Sequence, residues 1–176
     1  MIRRLLATGL ALSLAACGSG EEAGGTVAAP AEAETPAAQA ETLPAAQAAL
    51  LDSRDCRTVA QAYFDALALD EFAFAARFWD DPAIDGPRLA ALFSGYGRPR
   101  IAIAEVREEG AAGSLYCTEI GALADLADPS QPRHDGEIVL RRANDVPGAT
   151  PEQLRWTIRS STFVEEMERS GRGEPA

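Results

Sequence analysis

The sequence predicts an α+β domain, with three N-terminal helices packed on an antiparallel four-strand meander. Three observations carry this. Residues 56–94 hold three apolar stretches at helical spacing, each preceded by an aspartate. Residues 100–163 hold four strand-like stretches separated by turns rich in Gly, Pro and Asp. Helices come first and strands after, so the two segregate into layers instead of alternating as a parallel sheet requires.

The first helix is expected over Cys56 to Leu69, where Val59, Ala62, Tyr63, Ala66 and Leu69 share one face. Asp55 is its candidate N-cap, because a carboxylate accepts from the free N–H groups of a first turn. Asp70 is expected to end that helix and cap a second, Glu71 to Trp79, with Phe72, Ala75, Ala76 and Trp79 on one side. Asp80-Asp81-Pro82 breaks it. A third helix opens after Asp85-Gly86, since Pro87 suits a first turn that lacks partners for its N–H groups anyway. Leu89, Leu92 and Phe93 form its apolar face, and Gly95 and Gly97 close it.

The first strand is expected over Arg100 to Glu108 and the second over Ser114 to Ile120, joined by a hairpin loop at Glu109 to Gly113. A loop rich in Asp and Pro, Asp125 to Asp135, leads to a third strand at Gly136 to Arg142. Another turn-rich loop, Ala143 to Gln153, precedes a fourth at Leu154 to Phe163. There Leu154, Trp156 and Ile158 alternate with Arg155, Thr157 and Arg159.

The flanks differ in kind. Arg3 and Arg4 precede a short apolar run, Leu5 to Ala16, that ends in Leu14-Ala15-Ala16-Cys17. A basic start, a short apolar run and small residues form a secretory signal. The run is too short for a spanning helix, which needs about 20 residues. Leu, two small residues and Cys resemble the lipobox of bacterial lipoproteins. That resemblance implies a signal peptide over residues 1–16, cleaved before Cys17, with several acyl chains on Cys17. More than one chain is what stable anchoring needs. It also implies the periplasmic side of the cell envelope. Gly18, where Asp would favour retention in the inner membrane, points to the outer membrane.

Residues 17–47 then read as the lipidated Cys and a linker of Ala, Pro, Glu, Gly and Thr without an aromatic residue. Such a segment cannot bury enough surface to offset its ordering entropy. As a coil it would span roughly 30 Å. The domain is expected over residues 48–166, enough for one core, and residues 167–176 as a frayed polar tail.

The chain has 176 residues and a formal charge of -11, which becomes -13 once Arg3 and Arg4 leave with the signal. Clustered positive charge is what phosphate contacts require, so a general nucleic-acid partner is excluded. Of three cysteines, Cys56 and Cys117 remain after Cys17. In an exported protein an even pair reads as a disulfide, closing a loop of roughly 60 residues for roughly 4 kcal/mol of stabilisation. Two separate buried thiols are the alternative. With one His and two distant Cys there is no zinc pattern, and no cofactor motif is present.

Three helices, a first helix carrying Tyr63-Phe64-Asp65-Ala66-Leu67, a short second helix after Asp70 and a strand meander are similar to the NTF2-like (SnoaL-like) α+β roll. The resemblance covers Cys56 to Phe163. It implies a curved sheet wrapped around the helices, a pocket that in enzymatic members holds an Asp, Glu or His acid–base pair, and a homodimer formed through the sheet.

Candidate site residues follow from parity. If Cys56 bonds Cys117, then Cys117 faces inward, and Leu115 and Glu119 share that face. A desolvated carboxylate has a raised pKa, which is how a general base is tuned. Glu119 is therefore the candidate pocket acid. The alternative is a strand that twists outward by Glu119 and leaves its carboxylate in water. Glu105 is the candidate partner across the hairpin in one register, and a one-residue slip turns it away. His134, the single histidine, sits in a polar stretch and has no nucleophile beside it to form a triad. No serine elbow, P-loop or H-E-x-x-H is present. Asp80, Asp81 and Asp85 crowd one loop but lack the ordered alternation of an EF-hand. They read as helix breakers and caps. Trp79, Tyr96, Tyr116 and Trp156 are large enough to line a pocket or fill a core. Arg141, Arg142, Arg155 and Arg159 would form a basic patch if they shared the outer sheet face.

With no catalytic constellation in view, the sequence favours a non-catalytic domain binding a small ligand or an envelope protein. The competing class is a small SnoaL-like pocket enzyme with Glu119 as base.

Overall fold

The computed structural model describes residues 43–171. The lipobox with Cys17, the linker up to residue 42 and the tail from 172 lie outside the described residues.

Helix α1, Ala45–Leu51, begins inside the stretch read as linker and buries Leu51. Helix α2, Cys56–Ala68, matches its expectation closely. The Asp55 carboxylate accepts from the Arg57 and Thr58 N–H groups at 2.9 and 3.4 Å. Val59, Tyr63, Ala66 and Leu67 are buried along one face, each large side chain contributing about 2 kcal/mol by leaving water.

Asp70 ends α2 by another route than expected. It takes a left-handed conformation, φ 58°. The Glu71 N–H then donates to the Ala66 carbonyl at 2.8 Å, and the Asp70 N–H to Leu67 at 3.3 Å. This is a Schellman closure with Asp in the place glycine usually takes. Asp70 caps nothing beyond it, and the second helix is reduced to α3, Phe72–Ala75, plus a 3₁₀ turn at Ala76–Phe78. Helix α4, Gly86–Leu92, opens as expected, with the Asp85 carboxylate accepting from the Arg88 N–H at 2.8 Å. It stops at Phe93, before Gly95 and Gly97.

Four strands form one antiparallel sheet in chain order: β1 Pro99–Ala111, β2 Ser114–Asp125, β3 His134–Ala143 and β4 Thr157–Ser161. The first hairpin is tighter than expected. Ala111 pairs with Ser114, so only Ala112 and Gly113 turn the chain, and Gly113 supplies the positive φ of 80°. A bulge between Ile103 and Glu105 shifts the β1 register by one residue. Strand β4 is half its expected length. The chain then turns straight into helix α5, Thr162–Gly171, where a strand end and a frayed tail were expected.

The core lies between the inner sheet face and the helices. It joins Val59, Tyr63, Leu67, Phe78, Leu89 and Phe93 to Leu123, Ile138, Leu140, Trp156, Ile158 and Phe163. Helix α5 approaches β3 closely because residue 136 is glycine. A Cβ there would stand 2.6 Å from Thr162 Oγ1 and 2.7 Å from the Phe163 ring.

Candidate functional site

Glu119 faces inward, as parity from Cys117 requires. Cys117 is fully buried and bonded to Cys56, with the two Cα atoms 6.4 Å apart. This disulfide fastens the first turn of α2 onto β2. Two residues on, Glu119 is 1% exposed and its Oε1 has no hydrogen-bond partner among the described residues. Desolvation pushes its carboxyl up to about 7, opposed by the Arg57 charge and assisted by Asp55. The solvated reading of Glu119 is thereby corrected.

Glu119 lines none of the four clefts formed around Leu92, Gln61, Phe72 and Ile84 among the described residues. Glu105 does not face it either. The bulge sets Val106 opposite Glu119 and Glu105 opposite Ile120. Glu105 lies outside, held by Arg107 at 2.7 Å, and that guanidinium keeps its carboxyl below the usual range. The proposed acid–base pair across the hairpin is therefore not assembled.

The structure assembles a different group. A cleft of about 610 Å³ opens between α4, α5 and the inner end of β2 and β3. Leu92, Leu123, Phe163 and Met167 give it an apolar lining. His134 is the first residue of β3, half-buried, and not in a surface loop as its sequence neighbours suggested. Its Nδ1 lies 3.3 Å from Glu166 Oε1 on α5. Beside this pair, Arg88 of α4 reaches Glu168 of α5 with Nε at 3.1 Å and Nη2 at 2.6 Å.

Tyr96 forms part of the wall. The loop that presents it is held by Asp125, whose buried carboxylate accepts from the Gly97, Arg98 and Ala127 N–H groups, each at 2.8 Å. Those bonds, the Gly97 one first, hold the Asp125 carboxyl below its usual range. Burial raises the Tyr96 hydroxyl, and the negative charges of Glu166 and Asp125 raise it further.

Glu166 and Met167 went unnoticed in the sequence because α5 did. Their signal was the pair Phe163 and Met167 at i and i+4, with charged residues between.

The remaining candidates are structural. The four arginines do not make a common patch. Arg142 is buried over Trp156, 5.3 Å from the ring, with Asp145 at 2.9 Å. Arg155 pairs with Asp52 at 2.6 Å and Arg159 with Asp80 at 3.0 Å. Arg141 donates to Ser114 Oγ at 2.8 Å. Trp156 is core, and its indole N–H donates to the Arg54 carbonyl at 2.9 Å. Trp79 is half-buried and Tyr116 lies on the outer face of β2.

Asp81 and Asp85 accept local backbone N–H groups, from Ala83 and Arg88, each at 2.8 Å. Cys56, Cys117 and Glu108 gather donors of the type that hold metals, but the two sulfurs are bonded to one another. Among the described residues no helix is long and apolar enough to cross a membrane. Comparison with protein-family models, with curated proteins and with solved structures returns no match to this chain.

Proposed function

We propose that this chain is a lipid-anchored protein of the cell envelope whose domain binds a small ligand, without converting it, in the cleft between α4, α5 and the sheet. One observation carries the reading: an open cleft of about 610 Å³, apolar in its walls, with the His134–Glu166 pair set into it. Small-molecule sites have this size and this proportion of greasy wall to a few placed polar groups. The lipobox at Leu14–Cys17 supports anchoring at Cys17, on the periplasmic face of the outer membrane. The α+β layering supports an NTF2-like roll. The sheet face turned from the helices, where Tyr116, Ile120 and Val139 are half-buried, is where a second copy would pair. An envelope protein is the other partner class, and the acidic charge disfavours nucleic acid.

An enzyme of the SnoaL-like kind has one observation in its favour, the Glu119 carboxyl pushed up to about 7. A base must come within reach of the proton it takes, and Glu119 is 1% exposed and lines none of the four clefts. Native mass spectrometry of the protein purified from the envelope tests the binding reading. A co-purifying small mass supports it. Bare protein, together with turnover that Glu119→Gln abolishes, supports the enzyme instead.

A further inference from the structure

The charges around the cleft name a ligand class, on the reading that the cleft is a ligand site. Arg88 would suit an anionic ligand, but both its Nε and its Nη2 are taken up by one oxygen of Glu168. That pair is neutral. Apart from that pair and His134, Glu166 is the ionisable carboxylate of the described lining. Its side-chain partner among the described residues is the His134 ring nitrogen, and a neutral imidazole leaves the negative charge in place. Glu166 is 29% exposed, so its charge is less screened than a surface carboxylate and still reachable. At Tyr96, on the cleft wall, the charges of Glu166 and Asp125 are both felt. Two aromatic rings, Tyr96 and Phe163, share the lining, and ring faces attract cations. The charge of the chain as a whole, -11, adds an attractive field for a positive ligand.

We infer that the cleft takes an organic cation with an apolar body, an amine or quaternary ammonium, whose positive head meets Glu166 and whose body lies on Leu92, Phe163 and Met167. An anionic amphiphile of the same shape would place its head against Glu166, where the one guanidinium of the described lining, Arg88, is already paired with Glu168.

Three probes with one tail separate the possibilities: hexylammonium, hexanoate and hexanol. Met167 lines the cleft, so methionine labelled with ¹³C at its methyl group reports on it directly. The full chain carrying Cys17→Ser is titrated without detergent. The expected result is saturation of the Met167 shift by hexylammonium at a concentration about tenfold lower than by hexanoate, with hexanol between. In Glu166→Gln, hexylammonium falls to the level of hexanol while hexanol is unchanged, which also shows that the cleft remains folded. Hexanoate binding as tightly as hexylammonium, or a preference that survives Glu166→Gln, overturns the ligand class and leaves the binding site standing. Silence of Met167 toward all three probes overturns the site itself.

Discussion

Val106, not Glu105, stands opposite Glu119 across the β1–β2 ladder. One extra residue in β1, at the bulge between Ile103 and Glu105, decides this. It sends Glu105 outward to Arg107 and gives Glu119 an apolar neighbour on each side, Val106 on β1 and Ile138 on β3. A carboxylate so placed has lost most of its water, and its Oε1 gains no partner among the described residues. The consequence is a pH-dependent cost to folding, not a catalytic pair.

The sign of that cost is fixed. The folded carboxyl sits at about 7, above its ordinary 4.5. Below about pH 4.5 the group is neutral in both folded and unfolded chains. As pH rises toward 7 the unfolded chain ionises first, so stability falls, and it levels off once the folded group has ionised too. Glu119→Gln removes this slope. Chemical denaturation should find the two proteins about equal near pH 4 and the variant more stable near pH 8, by up to about 3 kcal/mol. A difference curve that is flat with pH contradicts the buried, unpartnered carboxylate.

The Cys56–Cys117 bond closes a loop of 61 residues and ties α2 to β2. Its removal by Cys56→Ala with Cys117→Ala should cost about 4 kcal/mol, read as a lower melting temperature than the oxidised parent. Reductant should lower the parent toward the variant and leave the variant unmoved.

Gly136 allows α5 to dock. A methyl group there meets Thr162 Oγ1 and the Phe163 ring, and overpacking of that kind costs about 1–3 kcal/mol. Because α5 carries Phe163, Glu166 and Met167, Gly136→Ala should reshape the cleft as well as lower stability. Hexylammonium titration at the Met167 methyl would then weaken by more than the change in stability accounts for at the same temperature.

Anchoring is separable from the domain. Cys17→Ser should move the protein from the membrane fraction to the soluble one with its melting temperature unchanged. Persistence in the membrane fraction contradicts lipidation at Cys17.

The sequence made some of this legible for physical reasons that can be named. Helix α2 was visible because its cap, Asp55, and its buried face fall at regular spacing. The inward turn of Glu119 followed from two facts, the Cys56–Cys117 bond and the two-residue period of a strand. The register was harder, yet its signal existed: Ile101 and Ile103 keep one parity and Val106 breaks it, as a bulge requires. Helix α5 escaped because Thr157–Ser161 leads into it with no turn residue between, and because five of its ten residues are charged or glycine. Losing α5 hid the cleft, since His134 and Glu166 meet only when that helix folds back on β3. The role of Asp70 is hidden because a left-handed aspartate and a capping aspartate look alike in sequence.

The most direct test of the account is to fill the cleft. Ala91 lines it from the exposed side of α4, so Ala91→Trp should occupy the space without touching the core. Native mass spectrometry should find a small bound mass on the parent protein purified from the envelope and none on the variant at equal melting temperature. The same mass on both proteins, or on neither, contradicts a ligand site between α4, α5 and the sheet.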